Sequence, residues 1–97
     1  MDRYTVTAEV WLHPGEAGWH FVTLPSQVAD QVRARNEGSG KPFGSVPARI
    51  ELGGSAWSTS LFPDSKRDTY LVPIKAQVRG REGIEDGDEV TLTIVLR

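Results

Sequence analysis

The 97 residues predict one domain with a single hydrophobic core, and the composition is that of a soluble globular chain. The absence of cysteine excludes disulfides, thiolate metal ligands and cysteine nucleophiles, and it is compatible with a reducing cytoplasm. A formal net charge of −2 argues against a dedicated nucleic-acid binder. The sequence has no apolar stretch of bilayer length and no signal-peptide core, so we expect a soluble cytoplasmic protein.

Alternation predicts two strands at the start of the chain. From Tyr4 to Leu12 the even positions are apolar and polar residues lie between them, which is typical of a strand with one buried face. A turn at residues 13–16 precedes a second strand, residues 19–24, whose apolar residues fall on both faces. Trp11 lies in the polar phase of the first strand, so it either faces outward as a contact surface or is covered by the helix that follows.

The period changes after the second strand. Val28, Ala29 and Val32 recur at helical spacing, so residues 25–35 predict a short amphipathic α-helix with a proline in its first turn. The glycine-rich stretch at residues 37–42 reads as flexible, but it is too short to separate two domains.

Four more strands are predicted in the second half. Residues 46–52 alternate, and a Gly-Gly turn leads into a hairpin partner at residues 55–61. Residues 69–75 predict a fifth strand, in which Pro73 marks an edge or a bulge because proline cannot donate to the ladder. The next connection predicts at most one irregular helical turn, and a compact turn at residues 83–88 leads into the last strand.

Six strands, one short α-helix and short connections predict a mainly β fold over residues 1–97. With so many strands in so few residues, a small and mostly antiparallel β-barrel is the economical arrangement, because closure removes the sheet edges.

Three clusters of residues resemble one known family. They are Trp19-His20-Phe21-Val22-Thr23-Leu24-Pro25; Phe43-Gly44-Ser45-Val46-Pro47 with Trp57-Ser58-Thr59-Ser60-Leu61-Phe62-Pro63; and Tyr70-Leu71-Val72-Pro73-Ile74-Lys75 with Val78-Arg79 and the turn at 83–88. In order and spacing they cover nearly the whole chain, which resembles the bacterial domain-of-unknown-function family DUF1905. The resemblance implies a small antiparallel barrel, an unassigned function, and a YdeI/OmpD-associated domain as a candidate partner.

The richest candidate for ligand binding is a cationic stretch. Five cations lie between residues 64 and 81, namely Lys66, Arg67, Lys75, Arg79 and Arg81, and residues 82–89 then carry five acids. The acidic turn could pair with these cations, or the cations could simply form a solvated surface. Alternatively, the cations could form a pocket for a small anion, where arginine offers a planar fork of donors. These alternatives stay open at this point.

Other polar residues have simpler interpretations. Ser58 and Ser60 share one face of a hairpin strand, without a nucleophile elbow or an evident base. Asp64 is either a carboxylate at the barrel rim or, as Pro-Asp pairs favour, part of a turn. His13 and His20 have no further ligands at metal-binding spacing, so we predict surface histidines and neither a metal nor a cofactor.

These observations favour a non-enzymatic binding module for a small anionic ligand or a protein partner, as a monomer or a homodimer. Its candidate ligand-binding residues are Arg49, Trp57, Ser58, Ser60, Asp64, Tyr70, Lys75 and Arg79. One alternative is a DNA-binding regulator, because the Gly87-Asp88 turn resembles the GD box of cradle-loop barrels. The other is an enzyme of unassigned class, for which the sequence offers no nucleophile and base pair.

Overall fold

Six antiparallel strands close into a barrel in the computed structural model, which describes residues 2–15, 17–38 and 44–96. The predicted mainly β, six-stranded antiparallel barrel is confirmed, with the order β1-β2-β5-β4-β3-β6 around it. In chain order the described elements are β1 (Arg3–Leu12), β2 (His20–Thr23), α1 (Ser26–Gly38), β3 (Val46–Leu52), β4 (Ser55–Asp64), β5 (Thr69–Pro73), α2 (Ala76–Glu82) and β6 (Glu89–Leu96).

The alternation of the strands fills the barrel interior. Val10 pairs with Val22 across β1 and β2, and Val22 pairs with Val72 across β2 and β5. On the other side Ile50 of β3 pairs with Ile94 of β6, and all five side chains are fully buried. Each such side chain contributes about 1.5–3 kcal/mol through burial, so the core favours this register over a slip by one residue.

Helix α1 begins one residue later than predicted and extends three residues further. The helix buries Val32 in the core. Asn36, in its last turn, is also buried, and it lies beyond the predicted helix of residues 25–35. Arg33 ties the helix to the β4–β5 turn, because its Nη2 donates to Oδ1 of Asp68 at 3.1 Å. The predicted flexible stretch therefore overlaps the end of α1, and its residues 39–42 lie outside the described residues.

The prediction of a single helix is wrong, because a second helix, α2, follows β5. Lys75 is still extended (φ −69°, ψ 154°), Val78 is buried, and Gly83 ends the helix in the left-handed conformation at φ 68°. The sequence does not predict α2 because Gly80 lowers the helix propensity and Val78 alone supplies an inward face. No helix within the described residues has the length and apolar composition needed to cross a bilayer.

The edge or bulge predicted at Pro73 corresponds to the end of the β4–β5 ladder, since the closed barrel has no free edge strand among the described residues. Pro73 is the last residue of β5, and the N–H of Ile74 beyond it donates to the carbonyl of His20 on β2 at 2.9 Å. Successive N–H groups point to opposite sides of a strand, so the backbone nitrogen of Pro73, which carries no hydrogen, faces β4. The β4–β5 ladder has already ended there, at the pair Phe62 and Leu71.

Candidate functional site

A second apolar cluster lies on the outside of the barrel, where β1, β2, β5 and β4 are neighbours. Phe21 is at its centre, and the rings of Trp11, Trp19, His13 and Phe62 lie at centroid distances of 5.3, 5.8, 5.9 and 6.5 Å from it. Phe21 points away from the barrel interior, since the next residue, Val22, points into it. Phe21 is nevertheless buried, because these rings cover it. We call these five residues the outer aromatic cluster.

Trp11 faces outward, and an arginine covers its ring. Its Nε1 donates to the hydroxyl of Thr23 at 2.8 Å, which fixes the indole on the barrel surface. The guanidinium carbon of Arg67 lies 4.5 Å from the ring centroid, within range of a cation–π contact. Arg67 in turn donates to Oδ2 of Asp64 at 2.6 Å. Trp11 is therefore fixed on the barrel surface, with Arg67 over one face of its ring.

Trp19, by contrast, exposes 49% of its surface while its orientation is fixed. The ring stacks on Phe21 with an interplanar angle of 8°, and Phe62 meets it at 77° in an edge contact. The carbonyl of Trp19 accepts a hydrogen bond from the N–H of His13 at 2.8 Å, which closes the β1–β2 connection. One face of the indole is thus packed, and the other is available to a ligand.

A groove of about 360 Å³ begins beside Trp19 and reaches the start of α2. Most of its wall is apolar, and two cations lie at the α2 end. None of its described lining residues is an Asp or a Glu. We call it the cationic groove; its principal side chains are Trp19, Trp57, Phe62, Pro73, Lys75 and Arg79.

The two cations of the groove are not neutralised within the described chain. Arg79 is half-buried, and its Nε donates to the carbonyl of Ile74 at 3.1 Å. This bond orients the guanidinium, while its terminal amino groups have no partner among the described residues. The exposed Lys75 forms no ion pair with any described residue. One oriented guanidinium and one exposed ammonium group therefore remain available for an anion.

The acidic turn binds backbone groups instead of these cations. Oδ1 of Asp86 accepts from the N–H of Leu12 at 2.9 Å, and Oδ2 of Asp88 accepts from the N–H of Glu85 at 2.8 Å. Glu82 accepts from a serine hydroxyl of the β3–β4 hairpin at 2.6 Å. Among the described residues no ion pair joins this turn to the groove, so the predicted pairing with the acidic turn is wrong for Lys75 and Arg79.

The Gly87-Asp88 turn has a structural role in the barrel. Gly87 adopts φ 94° and donates its N–H to the carbonyl of Val10 at 2.7 Å. The N–H of Val10 donates in return to the carbonyl of Asp88 at 2.8 Å. This reciprocal pair joins the entry of β6 to β1, and the left-handed backbone explains the glycine.

The structure brings together four of the eight predicted site residues. Trp57, Ser58, Lys75 and Arg79 line the cationic groove, although they come from β4, from the β5–α2 junction and from α2. Arg49 pairs with Ser58 across the β3–β4 ladder but lies outside the groove lining.

The other candidates lie apart from the groove. Nε of Arg49 is 3.7 Å from Oε2 of Glu51, and Ser60 is half-buried further along β4. Tyr70 is buried in the core, and together with Asp64 it lines a separate depression beside the β4–β5 turn.

Asp64 is a turn residue. Its Oδ1 accepts from the N–H of Lys66 at 3.1 Å, and its Oδ2 accepts from the Arg67 side chain. The side-chain hydrogen bond from Arg67 is the main cause that lowers the pKa of Asp64, while partial burial opposes the shift. The carboxylate is thus satisfied locally, as the Pro-Asp turn interpretation predicts.

Sequence reasoning missed Trp19, Phe62 and His20 as groove residues. Nδ1 of the half-buried His20 donates to the carbonyl of Gly18 at 2.8 Å, since a carbonyl can only accept, and this leaves Nε2 for other contacts. The signal that could have found Trp19 is the second predicted strand, whose apolar residues on both faces indicate two apolar surfaces. Within residues 2–15, 17–38 and 44–96 no three His, Asp or Glu side chains cluster as metal ligands.

Comparison with known proteins places this barrel in a family. No curated protein matches the chain. Residues 7–94, nearly the whole chain, match the family model described as "Domain of unknown function (DUF1905)". The three sequence clusters that suggested this family span the same barrel. The chain belongs to the DUF1905 family.

Proposed function

We propose that this chain is a non-enzymatic binding module whose cationic groove takes a small anionic ligand. The observation that carries the proposal is that Lys75 and Arg79 line one groove without a carboxylate among its described residues. Neighbouring uncompensated cations repel each other, and a bound anion relieves that repulsion. The groove volume of about 360 Å³ lies at the small end of ligand pockets, which run from roughly 300 to 1,000 Å³.

The proposal also includes a location and a partner for this binding module. A cysteine-free chain suits the bacterial cytoplasm. A YdeI/OmpD-associated type of domain, joined or separate, is the partner that the family resemblance suggests for this module.

A thermal-shift screen with inorganic phosphate, sulfate and simple carboxylates tests the proposal. An anion that binds the folded state raises Tm, and we expect at least one to do so. Lys75→Gln and Arg79→Gln keep much of the side-chain length but remove the charge. Each should weaken binding by about tenfold or more, the equivalent of a lost charge-assisted hydrogen bond.

Two variants serve as matched controls. Lys66→Gln and Arg81→Gln remove the same charges from the same region of the sequence, but neither residue lines the groove. They should leave the Tm gain intact. The proposal fails if no anion stabilises the native protein, or if Arg79→Gln retains the full gain.

A further inference from the structure

We infer that the cationic groove selects an aromatic carboxylate, whose ring lies against Trp19 while its carboxylate is held by Arg79. This inference rests on the proposed function and names the class of ligand. It depends on three features of the groove: an oriented ring face, an oriented donor pair and an apolar wall between them.

The ring face comes from Trp19. Its indole is 49% exposed and is held in place by stacking on Phe21 and by the edge of Phe62. A planar ligand that adds to this stack extends an existing arrangement of rings at centroid distances of 5.8 and 6.2 Å. Such distances are typical of favourable aromatic pairs.

The donor pair comes from Arg79. Its Nε is occupied by the carbonyl of Ile74, so the guanidinium presents Nη1 and Nη2 as its remaining edge. Two parallel N–H groups match the two oxygens of a planar carboxylate, which gives direction as well as charge. Lys75 adds a point charge at the same end of the groove.

The wall favours a monoanion with an apolar body. Most of the groove surface is apolar, including Trp57, Phe62 and Pro73. The polar side chains among its described lining residues are His20, Ser58, Thr59, Lys75 and Arg79. An apolar ligand body gains by covering that surface, while the two cations at one end provide for a single carboxylate. At about 360 Å³ the groove suits a body of one or two rings.

Four probes separate the ring from the charge. Benzoate and indole-3-carboxylate carry both an aromatic ring and a negative charge. Cyclohexanecarboxylate carries the charge on a saturated ring, and benzamide carries the aromatic ring without the charge. Titration calorimetry on the full chain should rank the aromatic acids above cyclohexanecarboxylate by roughly threefold to tenfold, the range of aromatic pairing. Benzamide should bind more weakly than benzoate by about tenfold or more.

Trp19→Leu tests the ring face directly. It should remove the preference for benzoate over cyclohexanecarboxylate while retaining binding of both acids. The matched control is Leu12→Ala. Leu12 is 46% exposed, a fraction similar to that of Trp19, and it lies outside the groove lining. This variant should keep the preference.

The outcomes separate this inference from the proposed function. If cyclohexanecarboxylate binds as tightly as benzoate, or if Trp19→Leu keeps the preference, aromatic selection is wrong although anion binding stands. If no carboxylate binds while phosphate or sulfate still raises Tm, only this inference is wrong. If no anion binds at all, both are wrong.

Discussion

At the scale of single residues, Asp64 and Arg67 connect a turn to the outer aromatic cluster. Asp64 closes the β4–β5 turn through backbone N–H groups and holds the Arg67 guanidinium. Arg67 then covers the ring of Trp11. The sequence predicts the Pro-Asp turn because its mechanism is local. It does not predict the contact between Arg67 and Trp11, because these residues are far apart in the chain and meet only through the barrel.

Asp64→Asn should lower the free energy of unfolding at neutral pH by less than about 1 kcal/mol. The effect is modest because the Arg67 side chain is 51% exposed and solvent screens the pair. Since the pKa of Asp64 is lowered in the folded state, its stabilisation is fully present above the ordinary value of 3.8. It is lost as the pH falls through the lowered value.

Urea unfolding of both proteins from neutral pH to about pH 3 and below measures this dependence. The native protein should lose its advantage over Asp64→Asn across the acidic range. A difference that stays constant at every pH would contradict the role given to the Arg67 hydrogen bond.

At the scale of elements, the strands were largely predictable and α2 was not. Period-two alternation predicts β1, β3 and β6 because each has one face in the core. Helix α2 is specified by its position against the barrel, through the single buried residue Val78, rather than by propensity. It nevertheless delivers Arg79 to the groove, so the least predictable element carries the central residue of the site.

Two glycines of the α2 region should respond in opposite directions to alanine. A Cβ meets open space at both Gly80 and Gly83, so packing does not separate them. Gly80→Ala should raise the free energy of unfolding by about 0.5–1 kcal/mol, because alanine is the better helix former. Gly83→Ala should lower it by about 1–2 kcal/mol, because φ 68° is strained for a residue with a Cβ.

Urea unfolding of the two variants beside the native protein measures both effects. Each glycine is the control for the other, since they are three positions apart in the same region. Equal shifts, or a gain in stability for Gly83→Ala, would contradict the assigned end of the helix.

At the scale of the whole molecule, the barrel separates two apolar compartments. The inner one is the core that alternation predicts, and the outer one gathers Trp11, Trp19, Phe21 and Phe62 from three strands and a connection. Alternation marks which face of a strand is buried in the core, but it does not reveal which strands become neighbours. The strand order therefore creates the aromatic surface, and the sequence alone predicts only Trp57, Ser58, Lys75 and Arg79 of the groove beside it.

The charge of the molecule is also divided between regions. The formal net charge is −2, yet the groove holds two cations that the described acids do not neutralise. A locally positive groove on a weakly acidic protein favours small anions over polyanions such as DNA, which require an extended basic face.

We propose that the groove between Trp19 and Arg79 binds an anion. A nuclear magnetic resonance titration with indole-3-carboxylate can locate the binding, because the three tryptophans give three indole N–H signals. We predict saturable shifts in the Trp19 indole and the Arg79 side chain, with the Trp11 indole unchanged under its Arg67 cover. Shifts centred on Trp11, or no saturable shift at Trp19 and Arg79, would contradict the account.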